Sequence, residues 1–153
     1  MAKKFAVSDA TQTTNTTTAK TIAVVGTVTA TLIRPALYDI IVGASGTPAD
    51  NVLRYGVQRF SAAGTTTAKT AAPLDTGDVA SLATCGVDAS IEPTKTAAFI
   101  MLEIPANQRA TFRWVAAPDG EIKGPATNAN GLAITSLSPA YTGATFCTVH
   151  FWE

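Results

Sequence analysis

Apolar and polar residues alternate along most of this chain, and this period of two restricts the fold more than any other feature. Residues 21–33 place Ile22, Val24 and Leu32 against threonines at the intervening positions. Alternation of this kind in β-branched residues is typical of a strand with one buried face. Alternating or short apolar segments elsewhere predict further strands, and the full set is 21–33, 37–42, 52–60, 89–92, 97–104, 109–115, 132–137 and 144–152.

Turn-forming stretches separate these segments and indicate an all-β fold. Pro35 ends the first strand, residues 43–51 are rich in Gly, Ser, Pro and Asp, and Pro93 interrupts a later apolar run. About eight short antiparallel strands at this length predict a β-sandwich, with a jelly roll favoured and an immunoglobulin-like sandwich as the alternative. We expect residues 21–153 to form a single domain, since 153 residues fit one domain.

One segment, around residues 74–85, departs from the strand pattern. Asp75 or Thr76 could cap a short helix that ends at Gly86, so we expect at most one helix. The same Asp75-Thr76-Gly77 triplet matches the active-site sequence of aspartic proteases, in which two carboxylates share a proton. The triplet opens a helical pattern here, and a helix cap or turn is the favoured interpretation.

The first twenty residues are predicted to form an extended arm outside the domain. Residues 8–21 are polar and rich in threonine, and they link a short apolar segment at 5–7 to the first long strand. An arm of this kind can add its backbone to the edge of a neighbour's sheet. We therefore expect deletion of residues 2–18 to weaken binding to a partner and to leave the fold intact.

Charge is sparse and balanced, which limits the classes of partner. Lys and Arg total 11, Asp and Glu total 11, and charged residues make up 14% of the chain. A nucleic-acid-binding protein needs a clustered basic face, so this class is disfavoured. A hydrophobic share of 46% disfavours disorder. A neutral surface suits close packing against other protein, and we interpret the chain as a subunit of a larger assembly.

Secretion and membrane signals are absent from the sequence as given. No apolar run approaches the roughly 20 residues that span a bilayer, and Lys3 and Lys4 are not followed by the apolar region of a signal peptide. Cys85 and Cys147 are too few for a disulfide framework, so two buried thiols are favoured over a bridge. We expect the protein to be made in a reducing cytoplasm and to make no contact with a membrane.

The residues do not assemble into a recognisable catalytic, cofactor or metal motif, and we expect no enzyme activity. His150 is the single histidine, and it lies in the last predicted strand without ligand partners at metal-binding spacing. On that strand Phe146, His150 and Trp152 share one face. A packing or interface role is favoured for this histidine. Arg109 and Arg113 flank aromatic residues on another strand and are interpreted as surface arginines.

Three segments resemble small structural proteins of tailed-bacteriophage heads, the decoration or cement proteins that coat the major capsid shell. They are the turn at 43–51 leading into 52–60, the stretch 107–118, and residues 138–143 before the terminal strand. The resemblance implies an all-β subunit on the capsid exterior that clamps the major capsid protein, commonly as a homotrimer or dimer. It transfers no individual functional residue, cofactor or metal.

The candidate contacts with capsid or sister subunits lie at the two ends of the chain. They are Lys3, Lys4, Phe5, Phe146, His150 and Trp152. Two other functions remain open: another phage structural part, such as a head-fibre base or tail component, and a carbohydrate- or ligand-binding β-sandwich. The second would need exposed aromatic residues, for which Trp114, Trp152 and Tyr141 are the available set.

Overall fold

The alternating segments form strands in the computed structural model, which describes residues 2–8, 13–14, 18–27, 32–137, 141 and 143–153. No helix occurs in these ranges. The strands are β1 (Lys4–Ser8), β2 (Thr13–Thr14), β3 (Lys20–Gly26), β4 (Ala36–Ser45), β5 (Val52–Ala62), β6 (Thr65–Lys69), β7 (Ala72–Pro73), β8 (Thr84–Ile91), β9 (Thr94–Asn107), β10 (Phe112–Val115), β11 (Ile122–Lys123), β12 (Gly131–Ser136) and β13 (Ala144–Trp152).

Two antiparallel sheets pack face to face, which confirms the predicted β-sandwich. The first sheet has the order β10-β4-β13-β1-β7, with β11 beside β4 and β2 beside β13. The second has the order β6-β8-β3-β12-β5-β9. Eight strands pair as nested partners, with β1 on β13, β3 on β12, β4 on β10 and β5 on β9. This nesting of first with last is the jelly-roll arrangement.

The inward faces of both sheets form one apolar core. Leu53, Tyr55 and Val57 are buried on one face of β5, as the alternation predicts. The rings of Phe5 and Phe151 stack with centroids 5.6 Å apart on neighbouring strands. Burying an apolar side chain of this size contributes about 1.5–3 kcal/mol. The core therefore depends on residues from both ends of the chain.

Residues 4–8, which the sequence assigns to the arm, are instead a strand inside the first sheet. β1 pairs with β13 on one side and with β7 on the other. The physical reason is the alternation within this short segment, because Phe5 and Val7 both point into the core and are buried. Thr13–Thr14 also pair with β13. The rest of the threonine-rich stretch, residues 9–12 and 15–17, lies outside the described residues.

The helix predicted near residues 74–85 is wrong. The amide of Gly77 donates to the Asp75 side chain at 2.9 Å, and the amide of Asp78 donates to the Asp75 carbonyl at 3.0 Å, which makes a turn. Beyond the turn, the amides of Leu82 and Ala83 donate to the carboxylate of Glu153 at 2.8 and 3.2 Å. These amides donate to a distant residue instead of a helical carbonyl, and no helix or strand forms between this turn and β8.

Candidate functional site

A β-bulge in the first sheet creates the most distinctive side-chain cluster of the described structure. Asp39 of β4 lies opposite His150 of β13, whereas Leu37 lies opposite Phe151, the next residue of β13. β4 therefore contains one extra residue, Tyr38, at this point. A bulge of this kind lets two successive residues point to the same face. Leu37 and Ile40 point into the core, and Tyr38 and Asp39 both lie on the outer face beside His150.

Asp39 is held by two partners on neighbouring strands. The Arg113 guanidinium of β10 donates to both carboxylate oxygens, from Nε at 2.9 Å and from Nη2 at 2.6 Å. Nδ1 of His150 lies 3.0 Å from Oδ2 of the same carboxylate. The Asp39 side chain is only 4% exposed, whereas the Arg113 side chain is 61% exposed. The arginine therefore covers a buried carboxylate and remains open to a partner.

The charge distribution of this cluster keeps Asp39 ionised. Hydrogen bonds from Arg113 are the main reason that the pKa of Asp39 lies below its ordinary value, while burial acts in the opposite direction and His150 adds to the lowering. The same carboxylate raises the pKa of Arg113. A carboxylate bonded at both oxygens fixes the orientation of the guanidinium and the imidazole.

Two lysines extend the cluster into a larger surface. Lys4 Nζ lies 5.5 Å from the centre of the Tyr38 ring, and Lys123 Nζ lies 5.7 Å from the centre of the Trp152 ring. Such placement is a cation–π contact. Beside them lies a depression of about 350 Å³ lined in part by Lys4, Tyr38 and Trp152. The outer-face site is defined here as Lys4, Tyr38, Asp39, Arg113, Lys123, His150 and Trp152.

The structure brings three of the predicted contact residues into this site. Lys4, His150 and Trp152 lie on adjacent strands β1 and β13, on the outward face that the period of two predicts. Phe146 lies on the same face of β13 but at the other end, where its ring packs over Gly43 so closely that a Cβ there would approach it to 3.0 Å. It therefore stands apart from the cluster.

The other two predicted contacts are placed differently. Phe5 is fully buried in the core, so its side chain is not available to a partner. Lys3 is half-buried, and its backbone pairs with Glu153 through bonds of 3.2 and 3.1 Å. Tyr38, Asp39 and Lys123 were not predicted from the sequence. The available signal was the charged Asp39 within an otherwise apolar strand, although its partners come from distant strands.

The three aromatic residues considered for sugar binding do not form a shared platform. Tyr141 is buried, and its hydroxyl donates to the Ser45 carbonyl at 2.7 Å. Trp114 packs against the core between the sheets. Of the three, Trp152 alone contributes to the outer-face site.

A separate cavity of about 250 Å³ opens on the second sheet. Val24 and Phe60 form its apolar floor, and threonine and asparagine side chains surround it. Its lining contains no charged residue among the described positions. The cavity therefore suits an uncharged group.

The remaining sequence candidates have structural roles. Asp75 caps the turn described above and is exposed. Cys85 and Cys147 are free and buried, as predicted, and burial raises the pKa of the Cys85 thiol to about 12. Among the described residues, no three His, Cys, Asp or Glu side chains are grouped to hold a metal ion. The described structure also contains no helix long and apolar enough to cross a membrane.

The described residues of the segments 43–60, 107–118 and 138–143 meet at one end of the sandwich. The amide of Ala49 donates to the Gln108 side chain at 2.9 Å, and Arg109 lies 3.4 Å from Asp50. Tyr141 joins the same end through its bond to Ser45. Residues 138–140 and 142 lie outside the described ranges. These contacts connect the β4–β5 turn, the β9–β10 turn and the entry to β13.

Fold and site together define an antiparallel β-sandwich of jelly-roll connectivity with a preorganised polar–aromatic outer face. No known protein family, curated protein or solved structure matches the chain.

Proposed function

We propose that the protein is a structural component of a virion that decorates and stabilises a bacteriophage capsid. In this proposal it lies on the capsid exterior, clamps major capsid protein subunits and performs no catalysis. The observation that carries the proposal is the outer-face site, because its cations and aromatic rings are held in place by contacts between neighbouring strands. The convergence of the phage-like segments at one end of the sandwich adds support.

The outer-face site has the composition of a protein-binding surface. Trp, Tyr and Arg are enriched in interfaces and supply most of the residues whose removal weakens binding strongly. Here Arg113 is oriented by Asp39, and Lys4 is held over Tyr38, so little side-chain freedom remains to be lost on binding. The low charge of the chain also favours close packing against a shell.

Binding to capsid particles that lack this protein tests the proposed surface. The double variant Lys4→Glu/Lys123→Glu reverses both cations of the outer-face site, and we expect at least roughly tenfold weaker co-sedimentation with the particles. Lys69→Glu on β6 of the other sheet is the matched control and should bind like the wild type. Equal binding by all three proteins would reject the outer-face site as the contact surface.

Another phage structural part, a head-fibre base or a tail component, is the closest competing proposal. It shares the protein-binding surface but differs in stoichiometry, since such parts occur in a few copies per particle. Copy number relative to the main shell protein distinguishes the two.

The uncharged cavity on the second sheet favours one further candidate, a ligand-binding β-sandwich. A neutral ligand such as a sugar residue would match its apolar floor and its hydroxyl and amide rim. A thermal-shift screen with neutral glycans tests this candidate, with Ala63→Trp as a variant that fills the cavity. Stabilisation of the wild type but not of the variant would support ligand binding, and no stabilisation would reject it.

A further inference from the structure

The outer-face site holds more positive than negative charge. Its cations are Lys4, Lys123 and Arg113. Its one carboxylate, that of Asp39, already has Arg113 and His150 as partners. Neither lysine forms an ion pair with a carboxylate in the part of the chain that the structure describes. Two cations without an acidic partner therefore lie on one face of a chain whose overall charge is zero.

These cations are held in position and are available to an anionic group. The ammonium groups of Lys4 and Lys123 lie over aromatic rings, at 5.5 and 5.7 Å from the ring centres. Arg113 uses Nε and Nη2 to bind Asp39, and its Nη1 donates to no described residue. A guanidinium has five N–H donors, so its outer edge can bind a second carboxylate. The donors are thus oriented before a partner arrives.

The depression beside these cations restricts what kind of anion fits. Residues 115–118 and the Trp152 ring make most of its lining apolar, and Glu121 also lines it. Asp119 lies on the same loop. A nucleic acid would bring its row of phosphates close to these two carboxylates and would bury no apolar group in the depression. A protein segment with a few carboxylates beside an apolar side chain matches both parts of the surface.

We propose that the outer-face site binds an acidic segment of its protein partner. Carboxylates of this segment contact Lys4, Lys123 and the outer edge of Arg113, and a neighbouring apolar side chain enters the depression. Asp39 acts as a positioning residue, because it orients Arg113 without touching the partner. This assignment rests on the proposed role of the outer-face site as the contact surface, and it adds the chemistry of the partner.

Fluorescence anisotropy with a labelled synthetic peptide tests the assignment without the capsid. The probe combines glutamates with leucines, and its two controls contain glutamines or lysines in place of the glutamates. We expect the wild-type protein to bind the acidic probe at least roughly tenfold more tightly than either control. Salt at about 1 M, where the Debye length is about 3 Å, should remove most of this preference. Equal binding of the three peptides, or tighter binding of a single-stranded oligonucleotide, would overturn the assignment.

Charge reversal gives a readout that a misfolded protein cannot produce. Lys4→Glu/Lys123→Glu should bind the acidic probe more weakly and should gain affinity for the lysine peptide. Lys69→Glu on β6 is the matched control and should keep the wild-type preference. An unchanged preference in the double variant would place the acidic contact elsewhere and contradict the assignment.

Capsid particles that lack this protein separate the assignment from the capsid role. We expect the wild type to bind the particles, and both high salt and excess acidic peptide to reduce this binding. Preference for the acidic probe without binding to particles would support the assignment and contradict the capsid role. Binding to particles that neither salt nor the acidic peptide reduces would support the capsid role and overturn the assignment.

Discussion

Asp39 illustrates at the scale of one residue how this sheet accommodates a buried charge. The bulge in β4 turns its side chain outward, and Arg113 and His150 then cover it with hydrogen bonds. A buried ion is costly unless its oxygens are bonded. Asp39 therefore needs Arg113 and His150 to offset the cost of its burial, and it orients both of them, although the three residues lie far apart in the sequence.

Replacing Asp39 by Asn tests this dependence. The variant keeps the shape but removes the charge that orients Arg113 and His150, and we expect a loss of about 1–2 kcal/mol in the free energy of unfolding. The value is modest because solvent screens the exposed Arg113. Urea denaturation measures the loss. Asp50→Asn, at an exposed carboxylate paired with Arg109, is the control, and equal stability of the two variants would contradict the assigned role.

The same carboxylate predicts a dependence of stability on pH. Because the pKa of Asp39 is lower in the folded state than in the unfolded state, its contribution is complete above the ordinary carboxyl pKa of about 4 and is lost as the pH falls through the folded value. The groups that face it are Arg113, His150 and Tyr38.

Denaturation at a series of pH values from neutral to acidic measures this contribution. The stability of the wild type should fall more steeply below the ordinary carboxyl pKa than that of Asp39→Asn, which lacks the titrating group. The stability of Asp39→Asn should still fall somewhat with decreasing pH, because the pKa of Glu92 is also lowered in the folded state. Burial raises the pKa of Glu92, but the hydrogen bonds from Lys95 and Thr21 together lower it by more. Parallel curves for the two proteins would show that Asp39 is not stabilised by its partners.

At the scale of the element, β1 differs most from its prediction, because it is a strand of the first sheet and not part of an arm. Because Phe5 is fully buried and stacks on Phe151, Phe5→Ala should lower the free energy of unfolding by about 3–5 kcal/mol. Phe112→Ala, at a phenylalanine that remains exposed on β10, should cost far less. Urea denaturation of both variants measures the difference. A similarly small loss of unfolding free energy in both variants would contradict the packing of β1 in the core.

Strands with a long alternating pattern could be predicted from the sequence, and strands without such a pattern could not. The predicted bounds of β13 agree with the structure, and the face of Phe146, His150 and Trp152 follows from its period of two. β6 is made of threonine, alanine and lysine and has no apolar alternation to reveal it. The helical spacing near residue 79 misleads because the carboxylate of Glu153 binds the amides that a helix would use.

Only part of the candidate site could be predicted from the sequence, for a related reason. Its positions on β1 and β13 follow from alternation within one strand. Tyr38 and Asp39 share a face only because β4 bulges against β13. The two partners of Asp39, Arg113 and His150, come from β10 and β13. Such features depend on pairing between distant segments, which local patterns do not encode.

At the scale of the whole molecule, the two sheets carry separate surfaces. The first sheet presents the outer-face site, and the second presents the uncharged cavity. A jelly roll is used in viral capsid proteins and in lectins alike, so the fold alone does not decide between structural and binding roles.

The most direct test of the capsid role is sedimentation of the native source lysate on a density gradient, with quantification of this chain in each fraction. We expect migration with large particles at a copy number comparable to that of the main shell protein. Recovery only in the light soluble fractions would contradict it.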